Sequence, residues 1–392
     1  MQLEVIGVGG AGCRLADAIR AAESATRPFL TDVFVFDTDE TTLRQTVVPE
    51  SNRYRYGEAN AAEGGADGGD GDGSRAIERC FEEGDERADD VLEVVGREES
   101  SAADAFLVTV GLGGTTGGGT VPALVATLQR TYKQPVYVLA TLPADREFDA
   151  SAGESEGLAG HARTATATSD TEPPRPEAAT NVLATLERLE GLASAIVLFD
   201  NEAWLRPGET LSDARDRSNR EAATQVAAVF SGGSGESGEA TAQTVTDASD
   251  VERIVGSESA FVTLGYAEQA VETTSSRFGL GLLTTDRDVD TAEAVSAVET
   301  VVRKAIRGKR SIECDPEAAD RGLLIVGGPP AWLNRKAIAD GRRTLQTAID
   351  GSSILGGDAP RPDGETVFAG VVLAGIGPME RLEELRDAAD AR

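Results

Sequence analysis

Twice in this 392-residue chain an apolar run of strand length breaks into glycines and resumes as a helical pattern. The first break is Gly7-Val8-Gly9-Gly10-Ala11-Gly12, between Leu3–Val8 and the helical spacing of residues 15–22. The second spans residues 111–120, Gly-Leu-Gly-Gly-Thr-Thr-Gly-Gly-Gly-Thr, between a buried-type strand at 105–110 and a helix at 121–131. Strand, glycine turn, helix, strand is the opening of a parallel sheet, because parallel strands need crossover helices. Further strands are expected at 33–36, 135–142 and 195–199, with a helix at 181–192. This half therefore reads as a Rossmann-like parallel α/β sheet.

The chain is too long for one ordinary domain. Leu211–Phe230 reads as a long helix, with apolar Ala222, Val226 and Val229 recurring at helical spacing. A Gly/Ser/Glu linker follows at 231–239, where composition shifts. Beyond it, a helix at 251–255, a strand at 261–266, a helix at 291–306, a strand at 322–326, a helix at 334–347 and a strand at 366–373 make a smaller C-terminal α/β domain. The expected division is 1–208, a connecting helix at 209–231, a second domain at 232–376 and a charged, solvated tail helix at 377–392. Residues 57–74, rich in Gly, Asp and Ala, read as a surface loop, and 150–178, without apolar pattern, as a mobile insertion.

Charge narrows the function classes. There are 67 acidic against 37 basic residues, a net charge of −30, and only four of the basic residues are lysine (Lys133, Lys304, Lys309, Lys336). Such a surface repels itself unless salt shortens the Debye length, which is about 3 Å at 1 M. It fits the salty cytoplasm of a halophilic archaeon, or else an acidic protein that avoids nucleic acid. Both argue against DNA or RNA as partner, since phosphate backbones need basic patches. No apolar run is long enough to cross a bilayer, and the N-terminus has no basic region or cleavage site, so a cytoplasmic location is expected. The three cysteines, Cys13, Cys80 and Cys314, are widely spaced and form no disulfide or zinc framework.

The glycine breaks carry the chemistry. Residues 7–12 satisfy G-x-G-x-x-G, which lets a phosphate approach the backbone and meet the N–H groups of the following helix. Read alone, the motif fits a dinucleotide enzyme, with Asp37 at the end of the next strand on a ribose hydroxyl, or a tight turn with no ligand at all. The second break tips the choice toward a nucleoside triphosphate, which can use two cradles, with hydroxyls of Thr115 and Thr116 as added donors. It is not a Walker A loop, since no Gly-Lys-Ser/Thr ends it. No His, Lys and Tyr constellation supports an NAD-dependent oxidoreductase, and the single histidine, His161, lies in the 150–178 insertion.

Residues 113–119 resemble the tubulin/FtsZ signature G-G-G-T-G-x-G, with Thr115 in place of the third glycine. Phe199-Asp-Asn-Glu-Ala-Trp204, Arg217-Ser-Asn-Arg-Glu221, Val245-Thr-Asp-Ala-Ser-Asp-Val251 and Gly327-Gly-Pro-Pro-Ala-Trp-Leu-Asn-Arg-Lys336 resemble the archaeal CetZ group more than bacterial FtsZ. The resemblance implies GTP and GDP as ligands. Gly9, Gly10, Ala11, Gly12, Cys13 and Arg14, with Gly113, Gly114, Thr115, Thr116, Gly117, Gly118 and Gly119, would hold the phosphates. Asp145 or Glu147 would meet the ribose, Asn201 and Asn219 the guanine, and Arg215 would stack on the base. It also implies that Asp247 and Asp250 complete the site of the next subunit, where they polarise the attacking water while a magnesium ion offsets the phosphate charge. The implied partner is a second copy, head-to-tail in a filament, with a GTPase role in cell shape. Peripheral membrane or envelope association would run through adaptors. The short apolar C-terminal peptide of division-type FtsZ proteins is absent, which favours shape over division.

Each of these residues also has a plainer reading. Asp247 and Asp250, three apart at a helix start, are what N-capping requires. Asn201 and Asn219 fit caps or turns, Cys13 a small packing residue, and Trp204 and Trp332 packing or an interface. Thr115, Cys13 and Arg215 depart from the family pattern and bear on hydrolysis more than on fold. A non-hydrolysing regulator or scaffold is the alternative they leave open.

Overall fold

The computed structural model describes residues 1–24, 27–57, 74–95, 102–148, 175–231, 247–256, 260–272, 289–349 and 353–391. The expected surface loop at 57–74 and insertion at 150–178 lie outside these residues except at their edges, as do His161, Val245 and the linker beyond Ser231.

The chain begins β1 (Leu3–Val8), α1 (Gly9–Ala22), β2 (Leu30–Asp37), α2 (Glu40–Gln45), β3 (Arg53–Arg55) and α3 (Ser74–Val95). It continues β4 (Ala105–Gly111), α4 (Thr115–Thr131), β5 (Val136–Leu142), α5 (Asp145–Phe148), α6 (Ala178–Leu189), β6 (Ala195–Asp200) and α7 (Leu211–Phe230). Then come α8 (Ala248–Val255), β7 (Ala260–Ala270), α9 (Thr291–Arg307), β8 (Arg321–Gly328), α10 (Arg335–Ala348), β9 (Ser353–Pro360), β10 (Thr366–Ala374) and α11 (Glu380–Asp390).

The strands form one sheet in the order β3-β2-β1-β4-β5-β6-β7-β10-β8-β9. From β3 to β7 every pairing is parallel, and β10 runs antiparallel to both its neighbours. The second half is thus an α/β unit as expected, but its sheet is continuous with the first through β6 and β7, where Ala195 meets Ala260 and Val197 meets Val262.

Strand side chains alternate between two cores, one on each face. On β1, Leu3 and Val5 join the core under α1, α7 and α8, while Ile6 and Val8 join the core under α3, α4 and α6. On β10, Phe368 and Val372 face the first core and Val367, Ala369 and Val371 the second. Burial on both faces explains why the central strands read as continuous apolar runs.

The helices differ from expectation in instructive ways. Both glycine breaks are helical: α1 begins at Gly9 and α4 at Thr115, several residues before the apolar periodicity. Glycine costs roughly 1 kcal/mol relative to alanine inside a helix, so something must favour it here. Close packing does. A Cβ on Gly12 would stand 2.1 Å from the Thr109 carbonyl oxygen, and one on Gly119 only 2.4 Å from Cys80 Cβ. Helix α3 had no sequence expectation, yet Ile77, Cys80, Phe81, Ala88 and Val91 are buried along one stripe of it, and it packs chiefly on α4. Strand β9 was also missed, because Gly356, Gly357 and Asp358 disfavour strand on propensity. Here pairing with β8 overrides that preference. The tail helix α11 is not simply solvated: it packs on α6 and buries Arg381 and Leu385. Among the described residues no helix is long and apolar enough to cross a membrane.

Candidate functional site

The order β3-β2-β1-β4-β5-β6 reverses direction between β1 and β4, and in such sheets ligands bind outside the carboxyl ends of the strands at that point. Both glycine segments begin there. Gly9 has φ of 70°, and a Cβ on it would stand 2.9 Å from Gly117 N, so the two segments touch. A cleft of about 280 Å³ opens over them.

The floor of the cleft is made by helix ends. Gly9, Gly10 and Ala11 open α1; Gly113, Gly114, Thr116 and Gly117 open α4. Neither helix has a side-chain cap or an acidic residue in its first turn. Helices α7, α8, α9 and α10 are capped by side chains, from Thr210, Asp247, Asp290 and Asn334, whereas α6 and α11, like α1 and α4, are not. An uncapped helix start offers N–H donors and positive dipole to an anion. Two of them meeting in one cleft fit a polyphosphate better than a single phosphate.

Side chains complete the walls. Arg14 and Asp37 face the cleft beside Gly10: a Cβ there would lie 3.4 Å from Arg14 Nη1 and 3.5 Å from Asp37 Oδ2. Glu147 lines the wall beyond β5. Its Oε1 accepts from Ala144 N at 2.9 Å, and its Oε2 accepts from Arg175 Nη2 at 2.7 Å. On the far wall α7 presents Leu211, Ala214, Arg215, Ser218 and Asn219, at helical spacing, opposite Asn201. Ser218 is 2% exposed and its Oγ has no partner within the protein, a polar atom suited to a ligand's base edge or sugar.

Thirteen expected residues therefore meet in one cleft: Gly9, Gly10, Ala11, Arg14, Asp37, Gly113, Gly114, Thr116, Gly117, Glu147, Asn201, Arg215 and Asn219. The others do not. Gly12, Gly118 and Gly119 serve close packing. Cys13 is fully buried, with its thiol 3.3 Å from the Phe36 carbonyl oxygen; burial, reinforced by the charge of Asp37, holds it protonated. Thr115 opens α4 but is outside the lining; its side chain bonds to the Cys80 thiol on α3. Asp145 is outside the cleft lining and bound to Arg381, Nη1 to Oδ1 at 2.7 Å, so of the two acidic candidates only Glu147 lines the cleft. Trp204 and Trp332 are buried packing residues, as expected.

Sequence reasoning missed Asp39, Thr42, Arg175 and Ser218 in the lining, and Asn181, whose Nδ2 donates to the Gly113 carbonyl at 3.1 Å. Helical spacing from Leu211 would have found Ser218. Nothing in the sequence marks Arg175, which follows a stretch without pattern.

Asp247 and Asp250 lie at the opposite pole. Asp247 caps α8, its Oδ1 accepting from Asp250 N at 2.8 Å, so the capping reading holds. Asp250 pairs with Arg253 at 3.0 Å. Asp247 is near enough to the Met1 amino group to favour its charge, against the larger effect of burial. From Met1 to Gly9 the strand climbs roughly 25 Å at about 3.3 Å per residue, so the acidic pair cannot reach the cleft of its own chain. Among the described residues no cluster of three or more His, Cys, Asp or Glu side chains can hold a metal ion.

The comparisons agree with this fold. The tubulin/FtsZ family GTPase domain matches residues 2–156, and the C-terminal domain of tubulin-like CetZ matches residues 208–391. The chain is 30% identical to tubulin-like protein CetZ5 of Haloferax volcanii, over 99% of this chain and 91% of that one. It is 31% identical to CetZ1 of the same organism, over 77% and 71%. The GDP-bound monomer of that CetZ1 superposes with a TM-score of 0.76 at 25% identity, covering 100% of this chain and 99% of that one. A GTPγS-bound protofilament of CetZ2 from Haloferax volcanii has the same fold, at TM-score 0.76 and 24% identity.

Proposed function

This chain belongs to the tubulin-like CetZ family of the tubulin/FtsZ superfamily, and from that premise we propose that it binds GTP in the cleft and hydrolyses it only when a second copy docks head-to-tail. The observation that carries the reading is the split itself: two uncapped helix starts face one cleft, and the acidic pair lies at the opposite pole. In the proposed complex the starts of α1 and α4 hold the phosphates, and Arg14 adds positive charge beside Gly10. Glu147 accepts from the ribose. Asn201 and Asn219, which both donate and accept, read the guanine edge, and the guanidinium of Arg215 stacks on the base in place of an aromatic ring. The next subunit brings Asp247 and Asp250 to the phosphate end, where a carboxylate orients and polarises water.

Magnesium fits as a companion of the triphosphate. It is usually held by one or two carboxylates plus phosphate oxygens and water, and Asp37 and Asp39 are carboxylates in the cleft lining. Its contribution would be to offset phosphate charge. A contact between unlike surfaces that does not close generates an open filament, and a cytoplasmic filament organising cell shape, reaching the envelope through adaptors, is the role we assign.

Chromatography of nucleotide released from the purified protein tests the ligand. GDP or GTP is expected; NAD, or binding of labelled NAD but not labelled GTP, would refute the assignment. Asn219→Leu should weaken GTP about 5- to 150-fold, since an unsatisfied base edge costs about 1–3 kcal/mol. Unchanged affinity would remove Asn219 from the base site.

A further inference from the structure

Arg381 is 6% exposed on α11, and its guanidinium is divided among acceptors from a distant part of the chain. Nη1 donates to Asp145 Oδ1 at 2.7 Å, Nη2 donates to the Pro143 carbonyl oxygen at 2.7 Å, and Nε lies 3.2 Å from Asp200 Oδ1. Glu384, on the same helix, accepts from Nη1 at 3.0 Å.

Pro143 and Asp145 belong to the turn after β5, and Asp200 ends β6. Those two turns carry Ala144, Glu147 and Asn201 into the cleft lining. They are also tied to each other: Asp145 N donates to Glu202 Oε2 at 2.9 Å, and Asn201 N donates to the Leu142 carbonyl oxygen at 3.3 Å. Arg381 therefore grips the outer side of two turns that form the ribose and base walls.

The grip is demanding. A planar guanidinium has fixed donor directions, so its acceptors must hold their relative positions for all contacts to persist. Burial pushes the Asp200 carboxyl up to about 6 despite the attraction of Arg381. For Arg381 itself burial opposes the charge, but Asp200, Asp145 and Glu384 more than compensate and hold its pKa above the ordinary value. Removing the guanidinium with α11 still docked would leave the Asp200 carboxylate buried without its cation, which proteins tolerate poorly.

We propose that Arg381 is a positioning residue for the nucleotide cleft, coupling the docking of α11 to occupancy of the ribose and base walls. The coupling runs both ways, because linkage is reciprocal: a ligand that fixes the two turns also holds α11 in place. This rests on the nucleotide reading above and adds to it a role for the C-terminal helix.

Hydrogen exchange on the full chain tests it without mutation. Adding GDP to nucleotide-free protein should slow exchange of α11 amides by about 10-fold, within the usual range of coupling between sites. The amides of α10, which packs on α9, β8 and β9, serve as the control and should not change. Asp145→Asn, at a side chain 43% exposed, should keep the melting temperature near wild type, raise the GDP Kd about 5-fold and shrink the protection of α11. Arg381→Lys should retain more affinity than Arg381→Gln, because it keeps the charge but not the fork. Should Arg381→Gln fail to fold, the wild-type exchange and Asp145→Asn decide alone. GDP that binds without changing exchange at α11, or an Asp145→Asn variant with wild-type affinity and protection, overturns the coupling and leaves the nucleotide site standing. A wild-type chain that binds no guanine nucleotide overturns both.

Discussion

Asp250→Ala should leave GTP affinity within about twofold of wild type and cut turnover on the order of 10²- to 10⁴-fold, the usual contribution of a positioned general base. The separation of the two effects follows from placement. Asp250 lies on α8 at the pole opposite the cleft, so it contributes nothing to binding in its own chain. Its pair with Arg253 has side chains 31% and 58% exposed, and surface pairs of this kind are worth about 0–1 kcal/mol, so the fold should survive. Asp247 is a less clean probe, because its carboxylate also caps α8, and losing a cap costs about 1 kcal/mol. Phosphate release and labelled-nucleotide binding, measured on the same preparation, check the split. Turnover unchanged in Asp250→Ala would remove this carboxylate from the mechanism.

The second large effect concerns the glycines, which divide into two kinds. A Cβ on Gly10 meets Arg14 and Asp37 only at 3.4 Å and beyond, ordinary contact, yet Gly10 lines the cleft. Gly10→Val should therefore keep the fold and lower GTP affinity by about 100-fold or more, since the branched side chain stands where a phosphate approaches the start of α1. Gly119 does the opposite. Its Cβ would stand 2.4 Å from Cys80 Cβ, in the contact between α3 and α4, outside the cleft. Gly119→Val should cost about 1–3 kcal/mol or more from overpacking and lower the melting temperature, while the folded fraction binds GTP normally. Thermal unfolding beside equilibrium binding separates the two. If both variants lost affinity at unchanged stability, the division would be wrong.

That division marks where the sequence was legible and where it was not. The strand–glycine–helix punctuation was visible because buried parallel strands are continuous apolar runs, and it placed both helix starts at one end of the sheet. The purpose of each glycine was not visible. Gly12 and Gly119 are indistinguishable in sequence from Gly10, and only the neighbours reached across the fold, Thr109 and Cys80, tell them apart. Cys13 and Thr115 looked like defects in a phosphate cradle because they stand inside its motif. Their side chains in fact point to Phe36 and Cys80. Asp145 was a reasonable ribose candidate until Arg381, 236 positions away, took its carboxylate. A charged tail helix does not announce that one of its arginines is buried, since most charges on such a helix are solvated. Strand β9 failed for a related reason, as pairing with β8 is a long-range fact and Gly-Gly-Asp is a local one.

The proposed shared site demands a second copy, because the acidic pair lies at the opposite pole from the cleft. Mixing Asp250→Ala with Gly10→Val tests that demand most directly. Each variant alone should be nearly inactive, the first for want of the acidic group and the second for want of nucleotide. Mixed, they should recover GTP turnover, because an Asp250→Ala chain holding GTP can meet the intact Asp247 and Asp250 of a Gly10→Val chain. A mixture that co-assembles yet stays as inactive as its components, or an Asp250→Ala chain that turns over GTP like wild type by itself, would contradict the shared site.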